Sequence, residues 1–412
     1  YGYFYPSVSL SAILSDMFTM PSWISLGKVR ASYTQVGNDA DPYLLQQTYT
    51  YSQGAGNGFV SRNNTKAIDN LKPEQTKSYE AGLDWRFLKG RIGIDATVYK
   101  SNTINQLILV NLPQASGFNN EYINAGNIQN KGVEIVLSAT PVQGEVFSWN
   151  TKVNYASNRN KVLSLTPGLS SVSLSSGNNY FGNLLITPGG SYGDIYNYVW
   201  STDSKTGKHL VTAAGLPEVT ALQKMGNFNP DFTLGWDNDF TYKHFELSFL
   251  IDGSERGILV SGTDAMMAYC GVRGYTAKFR SGGLVLAGVH DDGSANTTAI
   301  TAEQLWTNVS QGGRSGYGQF FAYHATNFRL REFSLGYNFD VAHSFFKSAK
   351  LSLTGHNLFF LYRGKSLLDI PGIKRTLPID PESAIGTSNY QGVESGLPPS
   401  LRSIGVNVNL SF

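Results

Sequence analysis

Residues 78–87 read Ser78-Tyr79-Glu80-Ala81-Gly82-Leu83-Asp84-Trp85-Arg86-Phe87. Taken at alternate positions, the stretch separates into Tyr79, Ala81, Leu83, Trp85 and Phe87 on one side and Ser78, Glu80, Gly82, Asp84 and Arg86 on the other. A helix would mix the two sets, whereas a strand sends successive side chains to opposite faces. One face of this strand is apolar and aromatic, and the other is polar and charged.

The pattern recurs along the chain. Ile92, Ile94, Ala96 and Val98 alternate with Arg91, Asp95 and Thr97, and Phe147, Trp149, Val153 and Tyr155 with Ser148, Asn150, Lys152 and Asn154. Phe232, Leu234 and Trp236 follow, then Phe245, Leu247, Phe249 and Ile251 against His244, Glu246 and Ser248, then Phe333, Leu335, Tyr337 and Phe339. The last run, Ile404, Val406, Val408, Leu410 and Phe412, faces away from Ser403, Gly405, Asn407, Asn409 and Ser411, a set small and polar enough to line water. Eleven strands are predicted, near 3–14, 25–37, 74–88, 91–105, 124–139, 147–158, 230–241, 244–252, 326–339, 349–361 and 400–412.

Composition agrees with an all-β chain. The 412 residues include 23 Tyr, 23 Phe and 44 Gly, with only 15% charged residues. Aromatics favour pleated strands, and glycine favours tight turns and loops. A net charge of +2 without a basic run speaks against a nucleic-acid partner. The single cysteine, Cys270, excludes an internal disulfide and a thiolate zinc cluster and reads as a small loop residue. Mean hydropathy is −0.19, and no apolar run reaches the roughly 18 residues of a membrane helix. Barrel strands escape that criterion, because only every second residue faces lipid.

The connections separate a membrane barrel from a soluble sandwich. Tight turns at Lys89-Gly90, Pro141 to Gly144 and Tyr242-Lys243 alternate with gaps at 159–229, 253–325 and 362–399 rich in Gly, Ser and Asn. Outer-membrane barrels have short periplasmic turns and longer extracellular loops. With the long loops outside, the last strand runs down to the periplasm and ends at Phe412, whose aromatic carboxy-terminus resembles an outer-membrane assembly signal. Counting back places Tyr1 outside the cell. An odd number of antiparallel strands cannot close a barrel, and open edges in lipid cost several kcal/mol per unpaired backbone group. Residues 1–412 are therefore expected to be the C-terminal part of one barrel domain. Its plug and first strands would precede it, and 22 strands in all would match a plugged transporter.

Short motifs carry a family resemblance over nearly the whole chain. They are Leu71-Lys72-Pro73-Glu74 before Tyr79 to Asp84, Asn124-Ala125-Gly126-Asn127 through Gly132-Val133-Glu134, and Gly226-Asn227-Phe228-Asn229-Pro230-Asp231-Phe232 before Tyr242 to Leu247. Phe333 to Tyr337, Gly355-His356-Asn357-Leu358, Asp380-Pro381-Glu382 and Leu401 to Phe412 follow in order. Together the sequence resembles the SusC-like (SusC/RagA) branch of TonB-dependent outer-membrane transporters. The resemblance implies import of bulky nutrients, oligosaccharides or oligopeptides, across a Bacteroidetes-type outer membrane. It also implies a SusD-like surface lipoprotein as lid, energy delivered by the TonB complex through an amino-terminal part, and transporter–lid pairs that dimerise. It implies no cofactor. A ferric-siderophore or cobalamin receptor without a lid, and a structural or adhesive barrel that moves no solute, are the alternatives.

Several apparent chemical motifs fail on inspection, and no catalytic residues, cofactor site or metal site are expected. Gly189-Gly190-Ser191-Tyr192-Gly193 matches the nucleophile-elbow spacing, but no helix is predicted after it. Gly207-Lys208 lacks both the upstream glycine and the following hydroxyl of a phosphate loop, because Thr202 and His209 stand there. His290-Asp291-Asp292-Gly293 could supply oxygen ligands for calcium, but it lacks the spaced acidic series of a calcium loop and reads first as a turn, with a bound ion as the alternative. The substrate-facing candidates are Tyr43, Tyr49, Tyr51 and Phe59, whose rings could stack on sugars beside neighbouring Asn and Gln, or simply pack within their loop. Trp85, Trp149 and Trp236 read as lipid-face or interfacial residues.

Overall fold

The computed structural model describes residues 4–53, 58–174, 182–314, 316–341, 346–384 and 392–412; Tyr1 falls outside them. Eleven strands pair in chain order into one sheet. They are β1 (Ser7–Ile13), β2 (Ile24–Asn38), β3 (Glu74–Phe87), β4 (Ile92–Asn111), β5 (Asn120–Gln143) and β6 (Phe147–Ser164). Then come β7 (Phe232–Tyr242), β8 (Phe245–Glu255), β9 (Asn327–Phe339), β10 (Ser348–Arg363) and β11 (Ser403–Ser411). Every neighbouring pair is antiparallel. All eleven expected strands are present, and β1 and β11 form the two edges.

Register follows the alternation. Val29 of β2 lies opposite Leu83, which lies opposite Ala96, while Arg30 lies opposite Gly82 and Gly82 opposite Thr97. A slip of one residue would turn every apolar side chain to the polar face, so the pattern fixes the pairing. Among the described residues nothing covers the apolar face. Tyr79, Leu83, Val98, Leu335, Leu351 and Leu353 are all exposed, as are Ile404 and Val406, each 70%. A continuous exposed apolar face of this extent belongs in lipid.

Aromatic side chains gather at the end of the sheet that carries the short turns. Trp23 stacks on Phe87, Trp149 on Phe240, and Phe245 packs edge-on against Tyr337. Such a girdle marks a membrane interface. The turn after β3 has Leu88, Lys89 and Gly90 all at positive φ, a conformation that costs least at glycine.

At the other end the strands outrun the bilayer. β4 and β5 have 20 and 24 residues, about twice the 9–11 that cross a membrane. The connections 165–231, 256–326 and 364–402 meet there in a loop layer with its own hydrophobic core, centred on Trp200, Leu305, Trp306, Phe320, Phe321 and Ile370. Two helices stand in it, α1 (Gly262–Tyr269) and α2 (Ala302–Arg314). Ser261 Oγ caps α1 by accepting from the Asp264 N–H. At α2 the Gln304 N–H donates to Thr301 Oγ1 while the Thr301 N–H donates to Gln304 Oε1, a reciprocal capping box. The hydrophobic core of the molecule thus lies mainly above the sheet.

Candidate functional site

The polar face of the sheet gathers the charged side chains of the strands. Two of its ion pairs skip a strand. Arg30 of β2 reaches across β3 to Asp95 of β4 (Nη2 to Oδ1, 2.6 Å) and donates to Thr97 Oγ1. Lys350 of β10 likewise crosses β9 to Glu246 of β8, which also accepts from Asn338. Strands two apart are separated by nearly 10 Å, so the crossing side chain must lie flat over the strand between. Glycine provides the path in both cases. A Cβ at Gly82 would stand 2.6 Å from Arg30 Nε, and one at Gly336 2.7 Å from Lys350 Cε.

Where β8, β9 and β10 meet the loop layer, a larger charge cluster joins the two parts. A bulge makes Arg331 an extra residue in β9, so that Arg329 lies opposite Asp252 and Glu332 opposite Leu250. Arg329 is 1% exposed. Its Nη1 donates to Asp380 Oδ2 at 2.7 Å and its Nη2 lies 2.5 Å from Glu382 Oε1. Arg331 Nε donates to Asp252 Oδ2 at 2.8 Å, Nη1 to Asn357 Oδ1 at 3.0 Å, and the same guanidinium meets Glu382. Asn357 adopts positive φ, tolerable for asparagine, and its Nδ2 donates to Leu401 O. Burial by itself raises the Asp380 carboxyl, but bonds from Ser400, the Glu382 N–H and Arg329 outweigh it and hold the group below the usual carboxylate range. The Asp380-Pro381-Glu382 segment is thus pinned to the barrel wall.

The other motifs are joints as well. Lys72 N–H donates to Asn124 Oδ1 and Asn124 Nδ2 donates back to Lys72 O, both at 2.7 Å, while Glu74 Oε1 accepts from the Leu107 N–H. Gly126 has φ +61, and a Cβ there would strike Ser164 O at 2.0 Å. Asp194 is buried and accepts from Lys224 Nζ and Asn227 Nδ2 at 2.7 Å each and from the Ser191 N–H at 3.0 Å. Gly189 to Gly193 is therefore a turn packed on the loop layer, and a strand, Asp194–Trp200, follows it. His290 to Gly293 closes as a turn through the Ser294 N–H on Asp292 Oδ1. Cys270 is free and exposed at the end of α1.

Within the loop layer Asp264 is buried and accepts from the Tyr275 hydroxyl at 2.9 Å and the Tyr323 hydroxyl at 2.5 Å, with Arg273 Nε at 2.6 Å. Burial above all pushes both phenols far above their ordinary range, so they remain neutral donors. Arg375, also buried, faces the rings of Tyr275, Trp306 and Tyr323.

The four aromatic candidates occupy the connection after β2. Tyr49–Ser52 and Phe59–Arg62 pair as a hairpin with Tyr49 opposite Arg62, Tyr51 opposite Val60 and Ser52 opposite Phe59. Tyr49 and Tyr51 therefore share a face, Phe59 turns to the other, and Tyr43, at φ +69, precedes the hairpin. All four are exposed. Arg62 anchors the hairpin by covering the Phe118 ring and donating to Gly117 O. The Arg329–Asp380 cluster was absent from the sequence candidates, although Asp380-Pro381-Glu382 stood among the motifs. Pairing it with β9 across some fifty residues needed the fold.

A cavity of about 560 Å³ opens on the polar face beneath the loop layer, bordered by Asp252, Arg256, Glu382, Phe228 and Leu259. This geometry combines a polar wall, a lipid-facing back and a rigid cap pinned by buried charge.

Comparison with known proteins agrees. The family described as TonB dependent receptor-like, beta-barrel matches residues 1–252. TonB-dependent receptor P26 of Formosa agariphila is 27% identical over 99% of this chain and 42% of its own length, and receptor P3 of the same organism 24% over 97% and 40%. TonB-dependent receptor SusC of Bacteroides thetaiotaomicron is 27% identical over 80% of this chain and 32% of its own length. The chain thus spans well under half the length of these relatives. The RagAB peptide importer in its closed-closed state superposes with a TM-score of 0.70 at 19% identity, covering 99% of this chain and 43% of the matched one. At that identity the likeness shows the fold. On its strand order, its lipid-facing back and the family match over its first 252 residues, the chain belongs to the TonB-dependent receptor-like β-barrel family of the outer membrane.

Proposed function

We propose that this chain forms one side of the barrel wall and the outer vestibule of a SusC/RagA-type importer. The importer takes up bulky nutrients, oligosaccharides or oligopeptides, at the expense of energy delivered through TonB. The observation that carries the reading is the loop layer. It is a packed, capped structure fixed to the lumen wall through Arg329, Arg331, Asp380 and Glu382, as a vestibule for large solutes requires. Further strands complete the sheet between β11 and β1 toward 22, and a plug closes the pore from below. A SusD-like lipoprotein covers the vestibule. The relatives named SusC and RagAB support this assignment over a lidless siderophore receptor.

The test is uptake. Cells with the gene deleted, complemented by the full-length protein or by a form lacking its TonB-contacting segment, are given fluorescent oligosaccharides and oligopeptides of graded length. TonB-dependent accumulation of at least one series, with a lipoprotein co-purifying in detergent, is the expected result. Uptake unchanged by deletion for every solute would favour a structural barrel, and uptake of metal chelates alone a siderophore receptor.

A further inference from the structure

The cavity of about 560 Å³ beneath the loop layer is a slot laid across the strands. Its floor follows the register. Glu134 of β5 lies opposite Ala156 of β6, Ala156 opposite Thr233 of β7, and Thr233 opposite Ser254 of β8. Residues directly opposite share a face, so this row stands on the polar side from end to end. From Glu134 to Ser254 is three strand spacings, about 14 Å, the span of roughly four extended residues. In the next row Asn154 lies opposite Gly235, and a Cβ at Gly235 would stand 3.8 Å from Asn154 Nδ2. Ala156 and Gly235 keep the floor low, and Phe228, Pro230, Ile258 and Leu259 make the roof apolar.

Most of the charge at the slot is spent. Of the four charged residues that border it, Asp252 and Glu382 are tied to Arg331, and Arg256 to Asp231. Glu134 is the exception. It is exposed and, among the described residues, makes neither an ion pair nor a side-chain hydrogen bond. The side chains of Asn154 and Thr233 are likewise without hydrogen-bond partners among the described residues. One open carboxylate at the end, an amide and a hydroxyl along the floor and an apolar roof match a chain with a cationic end, main-chain polar groups and apolar side chains. An oligosaccharide carries hydroxyls on every ring, and under this roof many would be buried without partners, which is costly.

We infer that the slot holds the amino-terminal end of an apolar oligopeptide, its α-ammonium on the Glu134 carboxylate, its main chain against Asn154 and Thr233, and its side chains under Phe228 and Leu259. The inference rests on the importer reading and adds to it the class of cargo and the end of the cargo that the wall grips.

The experiment uses the full-length protein in detergent, together with any lipoprotein that co-purifies, and calorimetric titration of three probes. These are the tetrapeptide alanyl-leucyl-alanyl-leucine, its N-acetylated form and cellotetraose. The free peptide should bind at least about tenfold more tightly than the acetylated one, which lacks the charge-assisted bond. That advantage should fall with added salt and as pH rises through the α-amino range near about 8. Glu134→Gln should bring the free peptide down to the level of the acetylated one, with the acetylated peptide and the melting temperature unchanged. Asn154→Ala should weaken both peptides about fivefold, and Gly235→Leu, which fills the floor, should abolish binding of both at an unchanged melting temperature. Equal affinity for the two peptides, a free-peptide affinity that Glu134→Gln leaves intact, or tighter binding of cellotetraose overturns the proposal. So does a fall in melting temperature for Gly235→Leu without peptide binding to the parent, which would mean that another segment of the same chain fills the slot. TonB-dependent uptake of saccharides alone would leave the importer reading standing and sink this inference. Absence of TonB-dependent uptake for every solute would sink both.

Discussion

Replacing Asp380 by Asn tests whether the loop layer is held to the wall by buried charge. Arg329 is 1% exposed and its best-aligned bond is Nη1 to Asp380 Oδ2 at 2.7 Å. Removing one partner of a buried pair costs about 3–5 kcal/mol, because the remaining charge is left uncompensated. Glu382 still stands 2.5 Å from Nη2, which places the expected cost near the lower end, about 3 kcal/mol. Local opening of 364–382 should therefore become roughly 150-fold more frequent. Backbone hydrogen exchange of the full-length protein in detergent would show it as faster exchange in that segment, with β3 and β4 unchanged. The double variant Arg329→Met, Asp380→Leu should recover most of the loss, since an apolar pair of similar volume removes the buried charge. The pH dependence has a defined sign. The Asp380 carboxyl is held below its ordinary value, so its contribution is present at neutral pH and is lost as pH falls below about 4. Unchanged exchange in 364–382 for Asp380→Asn, or equal acceleration over the whole barrel, would refute the reasoning.

Gly82→Val should expel Arg30 from its path to Asp95. The pair is half-exposed, so the loss is about 1 kcal/mol, and in an Arg30→Ala background the same substitution should cost almost nothing more in thermal melting. His209 stacks on Trp200 with centroids 4.2 Å apart, and burial lowers its pKa. Its neutral form is the one the fold prefers, so loop-layer stability should be complete above about pH 6.5 and decline below it, and His209→Phe should remove that decline in pH-dependent melting. Phe412 packs against Phe346, and deleting it should reduce the membrane-inserted fraction in cells several-fold without changing synthesis.

The barrel strands were legible because lipid on one side and water on the other impose a period of two that local sequence must obey. Tyr79 to Phe87 shows it without help from distant residues. Strand ends were less so. β4 and β5 continue to Asn111 and back to Asn120, beyond the bilayer, where Ile108 and Ile128 pack against Val162 of β6 and Ile186 of the loop layer and the simple alternation gives way. The helices were hidden for a related reason. α2 turns Ala302, Leu305, Trp306 and Val309 into the core along its apolar side, a short set that does not stand out among Gly, Ser and Asn, although Thr301-Ala302-Glu303-Gln304 carries the capping signature. The pinning cluster is illegible in principle from local pattern, since Arg329 and Asp380 lie fifty-one residues apart and only the bulge at Arg331 aims both arginines at one segment. The aromatic candidates illustrate the limit from the other side. Composition singled out Tyr49, Tyr51 and Phe59 as a group, while hairpin register divides them between two faces.

The central claim is that one face of this sheet meets lipid and the other an aqueous lumen. Single cysteines at successive positions from Ser78 to Phe87, in the full-length protein with Cys270 and every other native cysteine replaced by Ser and reconstituted into bilayers, can carry spin labels. Their collision rates with oxygen and with a water-soluble nickel chelate then report the two environments. Oxygen access should peak at positions 79, 81, 83, 85 and 87 and nickel access at 78, 80, 82, 84 and 86, a clean period of two. Uniform nickel access along the stretch would contradict the membrane barrel and every functional statement built on it.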